Sequence, residues 1–211
     1  ALRGAQPDAV PLWEMGINES CIINIAKHFT DKVPETKFIH EMTPSEVLEL
    51  LNTLKLILEE LDLDGATMPT LTGREVIGKN LIRDKLGIVS QVTPHGEPFP
   101  IEGPIGSMAD LKNFKLPKPD ESWVLAIRFA KAQFQERKAV VLHTPGTFKI
   151  SWSLRGKMET LLTDYIEQPE LASELARRVN EYCIQVLNIA FDAGADAVSY
   201  THLRAHETVL D

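Results

Sequence analysis

A run of seven residues, Ala139-Val-Val-Leu-His-Thr-Pro145, is apolar for four positions in succession and turns polar only at its end. A strand with one face in water alternates apolar and polar side chains. A strand apolar at every position is buried on both faces, as in parallel sheets covered by helices. Helical periodicity stands on either side of this run. Residues 121–137 carry Val124, Ile127, Ala130 and Phe134 on one stripe, and from near Pro169 the chain repeats Leu171, Leu175, Val179, Cys183, Val186 and Ala190. Three further runs read as strands: residues 10–14 after the turn-like Gln-Pro-Asp, residues 63–69, and residues 195–198. Buried strands alternating with amphipathic helices predict parallel β/α units. An open sheet and a (β/α)8 barrel both satisfy that alternation. No Gly-x-Gly-x-x-Gly or Walker-type loop follows any of the strands, which removes the usual nucleotide-binding argument for the open sheet.

Local signals set the boundaries. Residues 17–29 place Cys21, Ile22, Ile25, Ala26 and Phe29 on one helical face. In Thr43-Pro-Ser-Glu46 the threonine caps a first turn, Pro44 fits the first helical position, and Glu46 completes a capping box, so a helix runs to about Leu61. Residues 87–105 hold two β-like runs around Pro94-His95-Gly96 and predict a hairpin excursion. Ser107 opens a short capped helix, residues 116–120 form an extended linker, two helical segments follow Pro145, and Gly194 stops the second as a left-handed cap.

The chain has 211 residues and a formal charge of −8, with no basic stripe to offset it, which works against binding nucleic acid or an anionic membrane. No apolar run approaches the roughly 20 residues that span a bilayer. Cys21 and Cys183 stand far apart, without a zinc-type spacing, and read as reduced thiols of a cytoplasmic protein.

Several stretches, in order along the chain, resemble the uroporphyrinogen decarboxylase (URO-D) superfamily. They are Ala1-Leu-Arg-Gly with Val10-Pro-Leu-Trp13, Asp84-Lys-Leu-Gly-Ile-Val89, Glu102-Gly-Pro-Ile-Gly-Ser107 with Leu116-Pro-Lys-Pro-Asp120, Leu154-Arg-Gly-Lys-Met-Glu159 with Asp164 and Gln168-Pro-Glu170, and Ala193-Gly-Ala-Asp-Ala-Val198. The resemblance implies a TIM (β/α)8 barrel, here truncated to roughly its first four β/α units over residues 1–197. It also implies an enzyme. Members include the decarboxylase of porphyrin (haem) biosynthesis, a lyase, and corrinoid-dependent methyltransferases that act on thiols. The decarboxylase branch carries a Met-Arg-Gln-Ala-Gly-Arg pattern after the first-strand Trp to hold substrate carboxylates. Here Glu14-Met-Gly-Ile-Asn-Glu19 follows Trp13, with two acids and no arginine. That branch also places an Asp at the end of its second strand and a Tyr where Trp152 stands. Residues 66–70 contain no carboxylate. The expectation is therefore corrinoid-dependent methyl transfer to a thiol, with uroporphyrinogen decarboxylation and a non-catalytic substrate-binding barrel as alternatives.

In such barrels the loops at the strand C-termini carry the chemistry, so Glu14, Asn18 and His143 are the candidate substrate-binding residues. The alternatives are a surface carboxylate for Glu14 and a hydrogen-bonded core histidine for His143. Trp13 and Trp152 read as packing residues, and Asp196 as fixing the start of its strand. No catalytic residue is assigned. The resemblance implies zinc, held by a His-x-Cys pair and a later Cys beyond residue 211, together with a corrinoid protein as partner, a small-molecule substrate and a homodimer for the full-length protein. Residues 1–211 alone leave open parallel edges and are expected to aggregate or stay partly molten, and to be inactive.

His202 and His206 have the His-x-x-x-His spacing that can share a metal on a helix. Residues 198–208, Val-Ser-Tyr-Thr-His-Leu-Arg-Ala-His-Glu-Thr, nevertheless read in order as the translation of a transposase-type sequencing-library adapter, and a GCT codon for Ala197 completes the junction. The two histidines are therefore rejected as ligands, and residues 198–211 are expected to be a non-native tail. Cloning the gene from source DNA is expected to give a different sequence after Ala197; recovery of the same tail would refute the reading.

Overall fold

The computed structural model describes residues 9–70, 73–94, 96–119, 121–135 and 137–201. Along the chain run α1 (Glu19–Ala26), α2 (Pro44–Glu60), β1 (Gly65–Pro69), β2 (Arg74–Gly78), β3 (Leu81–Asp84), β4 (Val89–Val92), β5 (Pro98–Glu102), α3 (Met108–Asn113), α4 (Val124–Phe134), β6 (Ala139–Pro145), α5 (Thr147–Leu154), α6 (Met158–Glu167), α7 (Pro169–Asp192) and β7 (Ala197–Thr201). They fall into two compact units. The first lies within residues 1–71, 120–143 and 187–199, the second within 72–119, 144–186 and 200–211.

The first unit holds a three-stranded sheet in the order β1-β6-β7, with β1 and β6 parallel and Gly65 opposite Ala139, Thr67 opposite Val141 and Pro69 opposite His143. The face bearing Ala66, Met68, Val140 and Leu142 is fully buried. Helix α4 packs against β1, and its Val124, Ile127, Ala130 and Phe134 are the predicted stripe. Helix α1 packs against α2 through Ile22, Ile23, Ala26, Leu50 and Ile57. The capping box of α2 forms as the sequence predicts: Thr43 Oγ1 accepts from the Glu46 amide, and Glu46 Oε2 accepts from the Thr43 amide at 2.7 Å. Asp196 fixes the start of β7. Its carboxylate accepts from the Val140 amide at 2.9 Å and from Lys131 Nζ at 2.9 and 3.0 Å. Gly194, at φ +101°, ends α7 in the left-handed region where glycine is at ease.

One expected strand is absent. Residues 10–14 form no strand: the Leu12 N–H donates to Asp64 Oδ2 at 2.7 Å and its carbonyl accepts from the Asp64 amide at 2.8 Å, and the Glu14 carbonyl accepts from a side chain, Thr67 Oγ1, rather than from a neighbouring strand. Pro11 has no N–H to give a ladder, and Val10 is 91% exposed, so the apolar run is not buried as expected.

The second unit holds an antiparallel sheet in the order β2-β3-β4-β5. Strands β4 and β5 are the expected hairpin excursion; His95 lies outside the described residues. Strands β2 and β3 extend it beyond the sequence reading; they meet at Lys79-Asn80, with Asn80 at φ +58°. Ser107 caps α3 as predicted. Three helices, rather than two, follow Pro145, because the chain turns at Gly156, φ +84°, between α5 and α6. A side chain on Gly103 would run into the Leu154 carbonyl, so the two backbones meet there directly.

A buried ion pair closes this turn. Arg155 Nε donates to Asp164 Oδ2 at 2.6 Å, and its other nitrogens donate to Asp164 Oδ1 at 3.0 Å and to the Ile105 carbonyl at 2.7 Å. The side chains are 4% and 3% exposed. Removing one partner strands a charge in the interior. Arg155→Met is expected to lower stability by roughly 3–5 kcal/mol, and the double replacement Arg155→Met with Asp164→Leu by less, as read by denaturant titration. Equal losses in the two variants would show that the ion pair is not the cause.

Candidate functional site at the end of the parallel sheet

Side chains alternate across a strand, so Gly65, Thr67, Val141 and His143 share the sheet face opposite the fully buried one. Trp13 lies on this face. A Cβ on Gly65 would stand 2.5 Å from Trp13 Cδ1, so only glycine leaves room for the indole. Trp13 Nε1 donates to Thr67 Oγ1 at 2.7 Å, and Thr67 Oγ1 donates to the Glu14 carbonyl at 2.7 Å. One hydroxyl thus ties the first loop to β1. The sequence reading of Trp13 as a packing residue fits this placement, whereas Thr67 was missed. Its only sequence signal is its phase along β1, which puts it on the face opposite Ala66 and Met68.

The three candidate residues stand in different surroundings, and among the described residues no hydrogen bond joins their side chains. Glu14 is exposed in the loop after Trp13. Asn18 caps α1, its Oδ1 accepting from the Cys21 amide and from Ser20 Oγ, both at 2.9 Å. That oxygen is engaged in holding the helix start. His143 is at the C-terminal end of β6, half-buried, with its carbonyl accepting from the Thr70 amide at 2.9 Å. Its Nδ1 is buried and has no hydrogen-bond partner. Leaving such an atom unsatisfied costs about 1–3 kcal/mol, a cost that a ligand able to hydrogen-bond there would remove.

Burial pushes the His143 pKa below its ordinary 6.5, so the imidazole is neutral at pH 7. A neutral ring can donate or accept a hydrogen bond but offers no fixed cation to a carboxylate. Among the described residues no three His, Cys, Asp or Glu side chains gather where they could hold a metal, so these residues do not make up the zinc set that the resemblance implies. His202 and His206 lie outside the described residues. Cys21 and Cys183 are free thiols, as expected. Among the described residues no helix is long and apolar enough to cross a membrane.

The lowered pKa has a consequence for stability. An unfolded chain takes up the imidazole proton more readily, so this contribution is whole above pH 6.5 and is lost as pH falls through the lowered folded value. An NMR titration is expected to give His143 an apparent pKa below 6.5, and His143→Gln is expected to remove that part of the acid-side stability loss. A value at or above 6.5 would contradict the buried neutral ring.

Among solved structures, a methyltransferase from Methanosarcina mazei is similar to this chain, with a TM-score of 0.62 at 18% identity over 93% of this chain and 55% of that one. The chain thus spans little more than half the length of that neighbour. At this identity the likeness speaks for the fold, an α/β arrangement with a parallel sheet. No curated protein matches the chain. The profile of the uroporphyrinogen decarboxylase (URO-D) family matches residues 80–211, more than half of the sequence. The chain belongs to the uroporphyrinogen decarboxylase family.

Proposed function

We propose that this chain is the N-terminal part of a (β/α)8 barrel, with β1 and β6 among its strands, and that the whole protein transfers a methyl group from a corrinoid donor to a thiol acceptor. The observation that carries this reading is the polarity of the sheet end. Where a polycarboxylate substrate would need cations, the chain offers the neutral His143, the exposed carboxylate of Glu14, and Pro69 and Thr70 at the end of β1. No arginine stands between Arg3 and Arg74. Cations that recognise carboxylates work by paired, charge-assisted hydrogen bonds, and a carboxylate in their place repels the same ligand. The methyltransferase among its structural neighbours accords with this reading.

His143 then acts as a substrate contact through the free Nδ1. The donor supplies the methyl group. The part of the chain described supplies a neutral polar contact and a loop held to β1 by Thr67. Decarboxylation of uroporphyrinogen is the rival, since the family takes its name from that activity. Purified full-length protein, given a methylated corrinoid and a thiol, is expected to form the thioether while the corrinoid spectrum changes. His143→Gln is expected to slow it about ten- to a hundredfold, the value of one buried hydrogen bond to substrate. Conversion of uroporphyrinogen, without thioether formation, would overturn the proposal.

A further inference from the structure

In the second unit, a lysine is held without an anionic partner among the described residues. Lys149 lies in the first turn of α5, and its Nζ is 3.8 Å from the centroid of the Trp152 ring, a cation–π contact. Among the described residues no carboxylate pairs with it, and it is half-buried. Burial pushes its pKa down. Its place in the first turn also sets the ammonium against the positive end of its own helix. The protein therefore holds this cation at a cost, and the ring is its only described stabilising partner.

The surroundings are apolar. Helix α5 contacts β5, and the Phe99 ring centroid is 6.4 Å from that of Trp152 at an interplanar angle of 47°. Phe99 is 62% exposed and Ile101, two residues on and on the same strand face, is 41% exposed, while Pro100 between them is buried. A partly desolvated cation beside exposed apolar side chains suits a ligand with an anionic group and an apolar body.

We propose that Lys149, Trp152 and Phe99 form a binding position for a small organic acid, whose anionic group meets Lys149 Nζ and whose apolar body lies against Phe99 and Ile101. The position is independent of the methyl-transfer reading, because it is read by binding alone. Isothermal titration calorimetry on the full-length protein tests it with 3-phenylpropionate, its neutral amide 3-phenylpropionamide, and inorganic phosphate. Saturable binding of the acid is expected, with the amide and phosphate at least about tenfold weaker, the value of one charge-assisted hydrogen bond. Lys149→Met is expected to weaken the acid by a similar factor, Lys149→Arg to keep it, and Phe99→Ala, at an exposed ring, to weaken it about threefold. Should Lys149→Met fail to fold by circular dichroism, Lys149→Arg and Phe99→Ala decide the matter. Binding of the acid unchanged in Lys149→Met or in Phe99→Ala, or matched by the amide or by phosphate, would overturn the proposal.

Discussion

The carboxylate of Asp196 is the hinge on which the parallel sheet turns. It accepts from the Val140 amide in β6 and from Lys131 in α4, while its own amide donates to the Val140 carbonyl at 2.8 Å. One side chain thus fixes three things: where β7 begins, its register against β6, and the seat of α4. A slip of one residue along β6 would turn His143 to the opposite face and bring Leu142 in its place. The placement of His143 on the face shared with Thr67 therefore rests on a contact three residues away along the same strand. Gly194 serves the same end, since it stops α7 two residues before Asp196.

Much of this was legible in the sequence because it depends on local chemistry. The capping box at Thr43, the Ser107 cap, the stop at Gly194 and the stripe of α4 are properties of contiguous residues, and the structure shows each. Three features were not legible, each for its own physical reason. The apolar run at residues 10–14 reads as a strand, but strand status needs a ladder to a neighbouring strand, and here Leu12 bonds to Asp64 and the Glu14 carbonyl to the Thr67 side chain instead. The hairpin of β2 and β3 has weak apolar alternation, with most of β2 exposed, so periodicity gave no signal. The Arg155–Asp164 pair joins residues whose charges look solvated in the sequence and are buried only because α5, α6 and the Ile105 segment converge on them.

The candidate site shows the same division. His143 was recognisable because a polar residue ends an apolar strand, but the missing partner of its Nδ1 is visible only in three dimensions. Asn18 drew attention for its place near the first loop, and the structure gives it the task of capping α1. Thr67 went unnoticed since a threonine in a strand is ordinary, yet it joins Trp13 to the Glu14 backbone. Sequence pattern finds residues by type and phase. It does not find those whose importance comes from which atom they leave free.

The placement of Trp13 has a practical side. Of the three tryptophans, Trp123 is 2% and Trp152 8% exposed, whereas Trp13 is 39% exposed and lies on the strand that bears Thr67. Its indole is the one most open to a dissolved quencher and the one fastened to the first loop. The protein thus carries an intrinsic optical reporter at the sheet face where His143 stands, with the other two rings as a shielded internal reference.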